Sequence, residues 1–177
     1  MLEEIKERVK KECSDSNFKH SSWYWDYHIV PMKEIALELA KKYYLDLELI
    51  EMIVYLHDIG KIRGLDNHAE TGAEIVSEML RDYSHKDLIV ECVFKHNKPS
   101  PEDRIEVKLI ASADAVSHFL SPFFEIFFWE NPDRDIKSIC EGNLKKMEKD
   151  WDKILLPEAK GMCRKEYEAL KRIHSLE

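Results

Sequence analysis

The chain predicts an all-α domain, and three observations carry that prediction. Apolar residues recur three, four and seven positions apart along most of its length, the spacing that gathers side chains on one face of a helix. No stretch sustains the strict alternation of a half-buried strand. Five glycines and six prolines in 177 residues are too few to punctuate a run of short strands. That length, with 44% apolar residues, suffices for one full core, so a single domain is expected; no internal repeat or low-complexity stretch argues otherwise.

The helices can be taken in order. After a first helix at 2–13, a second is expected over 28–44, where His28 shares a face with Met32, Ile35, Ala36, Leu39 and Tyr43, and where Pro31 is tolerable only in a first turn. Asp46 looks like the cap of a third at 46–58, whose buried side is Leu49, Ile50, Ile53 and Val54. Gly60 then reads as a helix stop. A fourth helix, 68–82, carries His68, Gly72, Ile75 and Met79 on one stripe. A fifth, 86–97, follows Ser84 as its expected cap and runs Ile89, Cys92, Val93 and His96. The helix over 102–119 aligns Val107, Ile110 and Ala111 with Asp114 and His118. Helices over 122–130, 133–152 and 157–175 complete the chain, the last two as a charged hairpin turning near Leu156-Pro157 and docking through Leu144, Met147, Trp151, Ile154 and Leu155.

Six of these positions carry metal-ligating side chains on faces that should be buried. His28 points inward with its apolar neighbours; His57 lies four residues beyond Ile53 and Asp58 four beyond Val54, both leaving the same helix end. His68, His96 and Asp114 each sit on an apolar stripe of their own. A histidine or an ionised carboxylate on such a face needs a partner, so Asp58 and Asp114 are either paired, solvent-facing or metal-bound, and four histidines in reach favour metal. Imidazole and carboxylate together suit iron, manganese, zinc, cobalt or nickel, whereas calcium and magnesium prefer all-oxygen cages.

The run Tyr55-Leu56-His57-Asp58-Ile59-Gly60-Lys61, preceded by His28 and followed by Asp114, resembles the HD-domain superfamily of metal-dependent phosphohydrolases over about residues 20–120. Asn67-His68-Ala69-Glu70-Thr71-Gly72-Ala73-Glu74-Ile75 is similar to the second histidine motif of the branch that reads HDIGK, and His96 falls where that branch has a further histidine. The resemblance implies a metal-binding core over 20–120 in an HD helical bundle, with residues 121–177 as a C-terminal helical extension. It also implies two ions: one held by His28, His57, Asp58 and Asp114, the second by His68 and His96 with Asp58 as bridge. Four-ligand members hold one ion. The Gly-Tyr-Pro signature of the cyclic dinucleotide phosphodiesterases is absent, Lys95-His96-Asn97 standing instead, which argues against that substrate class.

The implied reaction is cleavage of a phosphoester by metal-activated water. Charge growing on phosphoryl oxygens needs cations, and Lys61, three residues past Asp58, is the expected phosphate clamp and, with Asp58, the expected catalytic pair. Arg63 is a further expected substrate-binding residue, Lys98 and Arg104 are weaker ones, and His118 is placed to orient a ligand or protonate a leaving group. His20, His85 and His174 have no motif around them and read as structural.

A net charge of −8 and a pI near 5.5 argue against a nucleic-acid backbone as the main partner and favour a small phosphorylated molecule such as a nucleotide. Cys13, Cys92, Cys140 and Cys163 show no close pairing, and the start Met-Leu-Glu-Glu is no apolar leader, so reduced thiols in the cytoplasm and no membrane span are expected. The aromatic run Phe123–Trp129 reads first as core packing, with a nucleobase-stacking wall or a homodimer patch as alternatives, and Trp23, Tyr24 and Trp25 as a cover for the site. Two other functions share the ligand set. Some HD-fold proteins are mixed-valent diiron oxygenases, and a non-catalytic HD signalling module would keep the fold without the chemistry; the intact ligand set counts against the latter.

Overall fold

A computed structural model of the chain describes residues 1–64 and 66–175, so the last two positions of the expected extension lie outside the described residues. The order is α1 (Leu2–Cys13), a π-helical turn (Trp25–Ile29) running directly into α2 (Val30–Lys42), then α3 (Leu47–Leu56), α4 (Ile59–Ile62) and α5 (His68–Met79). It continues with α6 (Lys86–Lys95), α7 (Ile105–Phe119), α8 (Phe123–Glu130), α9 (Ile136–Lys153) and α10 (Pro157–His174). No strand occurs among the described residues, and the protein is all-α. None of these helices is long and apolar enough to cross a membrane.

Helix α7 is the axis of the bundle. From Val107 to Phe119 every residue except Lys108 is buried, and α2, α3, α6, α8, α9 and α10 all touch it. Small side chains from Ala111 to Ala115 keep it thin, which lets neighbours close in from several sides and brings their ends toward Asp114. The apolar core is continuous from Ile5 in α1 to Leu170 in α10.

Three local features depart from the sequence expectation, each for a definable reason. The second helix begins at Trp25 rather than 28, because the turn before Pro31 widens: the Val30 amide bonds back to the carbonyl of Trp25, five residues earlier. Proline lacks an amide hydrogen and crowds the preceding turn, and a π-type turn relieves both. Ser84 is not the cap of α6; His85 takes that position without a side-chain bond, and the Lys86 amide is already satisfied by the carbonyl of Tyr83 at 3.1 Å. Asp46 caps α3 as expected, accepting from the amides of Glu48 and Leu49.

Gly60, expected as a stop, instead lies inside the short helix α4. The helix breaks earlier, at Asp58 (φ −114°, ψ 23°). Glycine is needed at 60 because α5 crosses there: a Cβ would fall 2.3 Å from the carbonyl oxygen of His68 and 3.0 Å from the amide nitrogen of Gly72. Those are backbone atoms and cannot step aside singly. Gly60→Ala is therefore expected to cost about 2–3 kcal/mol in urea unfolding and to displace His68. A variant as stable as the parent would refute this account of the contact.

Candidate metal centre

The ends of five helices meet beside α7. The π turn delivers His28, the end of α3 delivers His57, and the break that follows it exposes both oxygens of Asp58. His68 is the first residue of α5, His96 follows the last of α6, and Asp114 projects from the middle of α7. His28, His57, Asp58, His96 and Asp114 are at most 5% exposed, while the His68 side chain keeps 31% of its surface.

All six expected ligands are brought together, in two groups. Ligand atoms of His28, His57 and Asp114 lie within 4.8 Å of one another, as do those of Asp58, His68 and His96. Asp58 joins them. Its Oδ1 is 3.4 Å from His68 Nε2 and 3.3 Å from His96 Nε2, and its Oδ2 is 3.4 Å from His57 Nε2 and 4.0 Å from His28 Nε2. A carboxylate with one oxygen turned to each group has the form of a bridge. Asp114 Oδ1 lies 3.4 Å from His28 Nε2 and 4.0 Å from His57 Nε2.

Hydrogen bonding identifies which ring nitrogens carry lone pairs. His57 Nδ1 donates to the Val54 carbonyl at 2.7 Å and His96 Nδ1 to that of Val93 at 2.6 Å. Ser117 Oγ gives its proton to the Asp114 carbonyl, so it can only accept from His28 Nδ1, 3.1 Å away. In each neutral ring Nε2 is thus the unprotonated nitrogen, and Asn97 Nδ2 donates to His68 Nε2 at 2.6 Å, marking the same side there. The Nε2 atoms of His28 and His57 nevertheless face each other at 3.2 Å, and that of His96 faces a carboxylate oxygen, Asp58 Oδ1, which has no hydrogen-bond donor among the described residues. Lone pairs this close repel unless a positive charge lies between them. A proton relieves one such pair; the two groups together fit divalent ions.

The carboxylates are ready ligands. Burial alone would raise both carboxyls, but Lys61 beside Asp58 and Lys153 beside Asp114 outweigh it, and both lie well below the usual range. Burial, the largest influence on His28, holds that ring well below its ordinary value, so it stays neutral and able to ligate. At His57 burial acts downward too, but Asp58 and Asp114 overcome it and the value rises. That is the same preference for positive charge between the carboxylates.

Residues 25–118, more than half of the chain, match the family model of the HD domain. The chain belongs to the HD family. Curated relatives include Ribonuclease Y of Fusobacterium nucleatum, 32% identical over 91 residues that make up 51% of this chain and 18% of that protein. A tRNA (cytidine(56)-2'-O)-methyltransferase of Thermoplasma volcanium is 35% identical over 100 residues, 55% of this chain and 28% of the relative. Ribonuclease Y of Salinispora arenicola is 32% identical over 95 residues, 51% and 15% of the two chains. The chain thus spans less than a third of the length of these relatives. No solved structure matches it significantly. HD domains are in general metal-dependent hydrolases that bind divalent ions, and the two His/Asp groups give this member the side chains to do so.

Around these six side chains stands a further set of charged groups. Lys61 Nζ donates to Asp58 Oδ2 at 2.5 Å and, 38% exposed, is the cation on the open side; Tyr24 donates its hydroxyl to the same oxygen from a fully buried position. His118 stacks on Phe123 with ring centroids 3.8 Å apart and donates from Nδ1 to Asp150 Oδ2 at 2.9 Å, its Nε2 lying 3.6 Å from Asp114 Oδ1. It therefore faces Asp114 from a buried position. Arg63 is not brought to the centre: its guanidinium grips Glu12 with two bonds of 2.8 Å. Arg104, 61% exposed, sits 4.0 Å from Glu91. An open cleft of about 400 Å³ lies against His68, lined by Asn67, Glu70, Phe94, Asn97 and Lys98.

Sequence reading missed Lys153, Asp150 and Lys146 of α9, and Asn97. It gave Tyr24 only a covering role, although Tyr24 sits four residues before His28 and so on its face. For the lysines and Asp150 no local signal exists, since a charged helix ordinarily points such residues to water. The aromatic run divides: Phe123 and Phe124 are buried, Phe123 against His118, whereas Trp129 is 67% exposed.

Proposed function

We propose that the chain is a metal-dependent phosphohydrolase that opens a phosphoester of a nucleotide or another small phosphorylated metabolite. The observation that carries the reading is the bridging position of Asp58, with one oxygen toward His68 and His96 and the other toward His57 and His28. A divalent ion supplies such a site with water of pKa lowered toward about 7 and with charge to stabilise a phosphoryl oxygen. The chain's own side chains do the rest. His28, His57 and Asp114 bind from a pocket closed to water, while His68 and Lys61 stand on its open edge.

Charge balance supports an anionic substrate. Asp58, Asp114 and Asp150 face Lys61, Lys153 and Lys146 respectively, so each acid already has a lysine. Any ion added to this balanced set leaves the centre positive, which attracts a phosphate and repels a cation. On the open side Lys61 Nζ, directed at Asp58 Oδ2 over the Tyr24 ring, is the group that can shift by one hydrogen bond to hold a phosphoryl oxygen. The names of the Ribonuclease Y relatives support a second reading, a phosphodiester of RNA. The overall charge of −8 weighs against it.

The test is metal content per chain on untagged protein, followed by a release assay on nucleotides, sugar phosphates and short RNA with manganese, cobalt, nickel, zinc and iron in turn. Phosphate release from a small substrate supports the proposal, and cleavage of RNA alone supports the second reading. Two irons with air-dependent turnover and no phosphate release would replace both with the oxygenase; protein that neither holds metal nor turns over any substrate would be a signalling module.

A further inference from the structure

Helix α9 lies beyond the residues that match the HD family, yet one of its faces ends in the metal centre. Lys146, Asp150 and Lys153 are spaced four and three apart and so share that face. Each has a partner there. Lys146 pairs with Asp150 at 2.6 Å, Asp150 takes the Nδ1 proton of His118, and Lys153, only 8% exposed, donates to Asp114 Oδ2. The turn after α9 is tied to α7 as well: the Leu155 amide donates to Ser112 Oγ at 3.1 Å, two residues from Asp114, and Ile154 and Leu156 are buried beside it. Lys153 is therefore held at the ligand carboxylate by its backbone and by its side chain.

The two oxygens of Asp114 have different neighbours. Oδ2 belongs to Lys153, while Oδ1 faces His28 at 3.4 Å, His118 at 3.6 Å and His57 at 4.0 Å. We propose that Lys153 is a positioning residue of the metal centre: it occupies Oδ2 of Asp114 so that the carboxylate offers Oδ1 alone toward His28 and His57, making the C-terminal extension part of the centre. The inference rests on the metal-dependent reading above. It has a thermodynamic consequence. Lys153 and the bound ion are two cations sharing one buried carboxylate, so each weakens the dependence of the fold on the other.

Lys153→Met keeps the length and removes the charge and the donor. In the metal-free variant Asp114 has lost its lysine, and an added ion becomes its main counter-charge. Melting temperatures of parent and variant, each with and without manganese or cobalt, are the measurement. The metal-free variant is expected to melt below the parent, and the rise on adding metal to be larger than the parent's by roughly 5 °C or more. Visible absorption of the cobalt forms is a second readout: a carboxylate free to offer both oxygens raises the coordination number and weakens the bands.

Equal spectra, whatever the two rises, would overturn the proposal alone and leave Lys153 a structural ion pair. No rise in the parent would overturn the metal-dependent reading, and the proposal with it. If the methionine variant does not fold in either condition, Lys153→Gln replaces it. Cobalt bands that differ from the parent's are expected there too, and bands equal to the parent's overturn the proposal.

Discussion

Asp58→Ala is expected to lose both ions and all turnover, whereas His68→Ala keeps the first ion and loses the second. The difference follows from geometry. Asp58 turns Oδ1 to His68 and His96 and Oδ2 to His57 and His28, so its removal takes an anionic ligand from both positions at once. It also leaves Lys61 and the Tyr24 hydroxyl without their shared acceptor and takes the neighbouring carboxylate from His68 and His96, while His28 and His57 keep Asp114. His68 touches only one position, at the 31%-exposed edge of the centre, where the first group of His28, His57 and Asp114 is not disturbed. Elemental analysis per chain, with circular dichroism as the check on folding, reads the outcome. Equal metal loss in the two variants would count against the assignment of two ions.

Lys61→Ala is expected to lower kcat/KM on the phosphoester substrate by about 10²–10³-fold while the metal content stays near that of the parent, the loss typical of removing one group that stabilises developing oxyanion charge. Lys61 is three residues from Asp58, is 38% exposed and points its Nζ over the Tyr24 ring, so it can reach a substrate without leaving the centre. A lysine that merely favours a helix C-terminus is worth only about 0.3–1 kcal/mol to stability and would leave turnover intact. A change of less than about threefold in kcat/KM would therefore assign Lys61 to that role. Lys61→Arg, which keeps the charge in a longer and planar form, is expected to fall between the two.

Much of this centre was legible before any coordinates, and particular residues show why. His28, His57, Asp58, His96 and Asp114 stand where the helical period demands an apolar side chain, and a polar group in such a place announces a partner. His68 needed its motif as well, since it heads its helix rather than lying within it. Gly60 was read as a stop because glycine usually ends helices; its actual reason, the backbone of α5 passing 2.3 Å from where a Cβ would be, belongs to a contact between two segments. The π turn at Trp25–Ile29 was hidden for a related reason, since Pro31 shows that a helix must adjust and not how. Arg63 illustrates the opposite error. Its proximity in sequence to Asp58 suggested a role at the site, and the bidentate pair with Glu12 turns it elsewhere.

By itself the sequence determined the helical class, nearly every helix, the HD family and the six side chains of the two groups, because a short-range period and a spaced motif are properties of neighbouring residues. The bridging place of Asp58 was implied by the family resemblance; tertiary structure alone decided that Tyr24 donates to it. It also decided that Lys153 reaches Asp114 across 39 residues of chain. Lys146, Asp150 and Lys153 look in sequence like the wet side of a surface helix. Only the closure of α9 onto α7 buries Asp150 and Lys153 and half-buries Lys146, and charges so withdrawn from water must pair, which is what sets a charged stripe against the candidate centre.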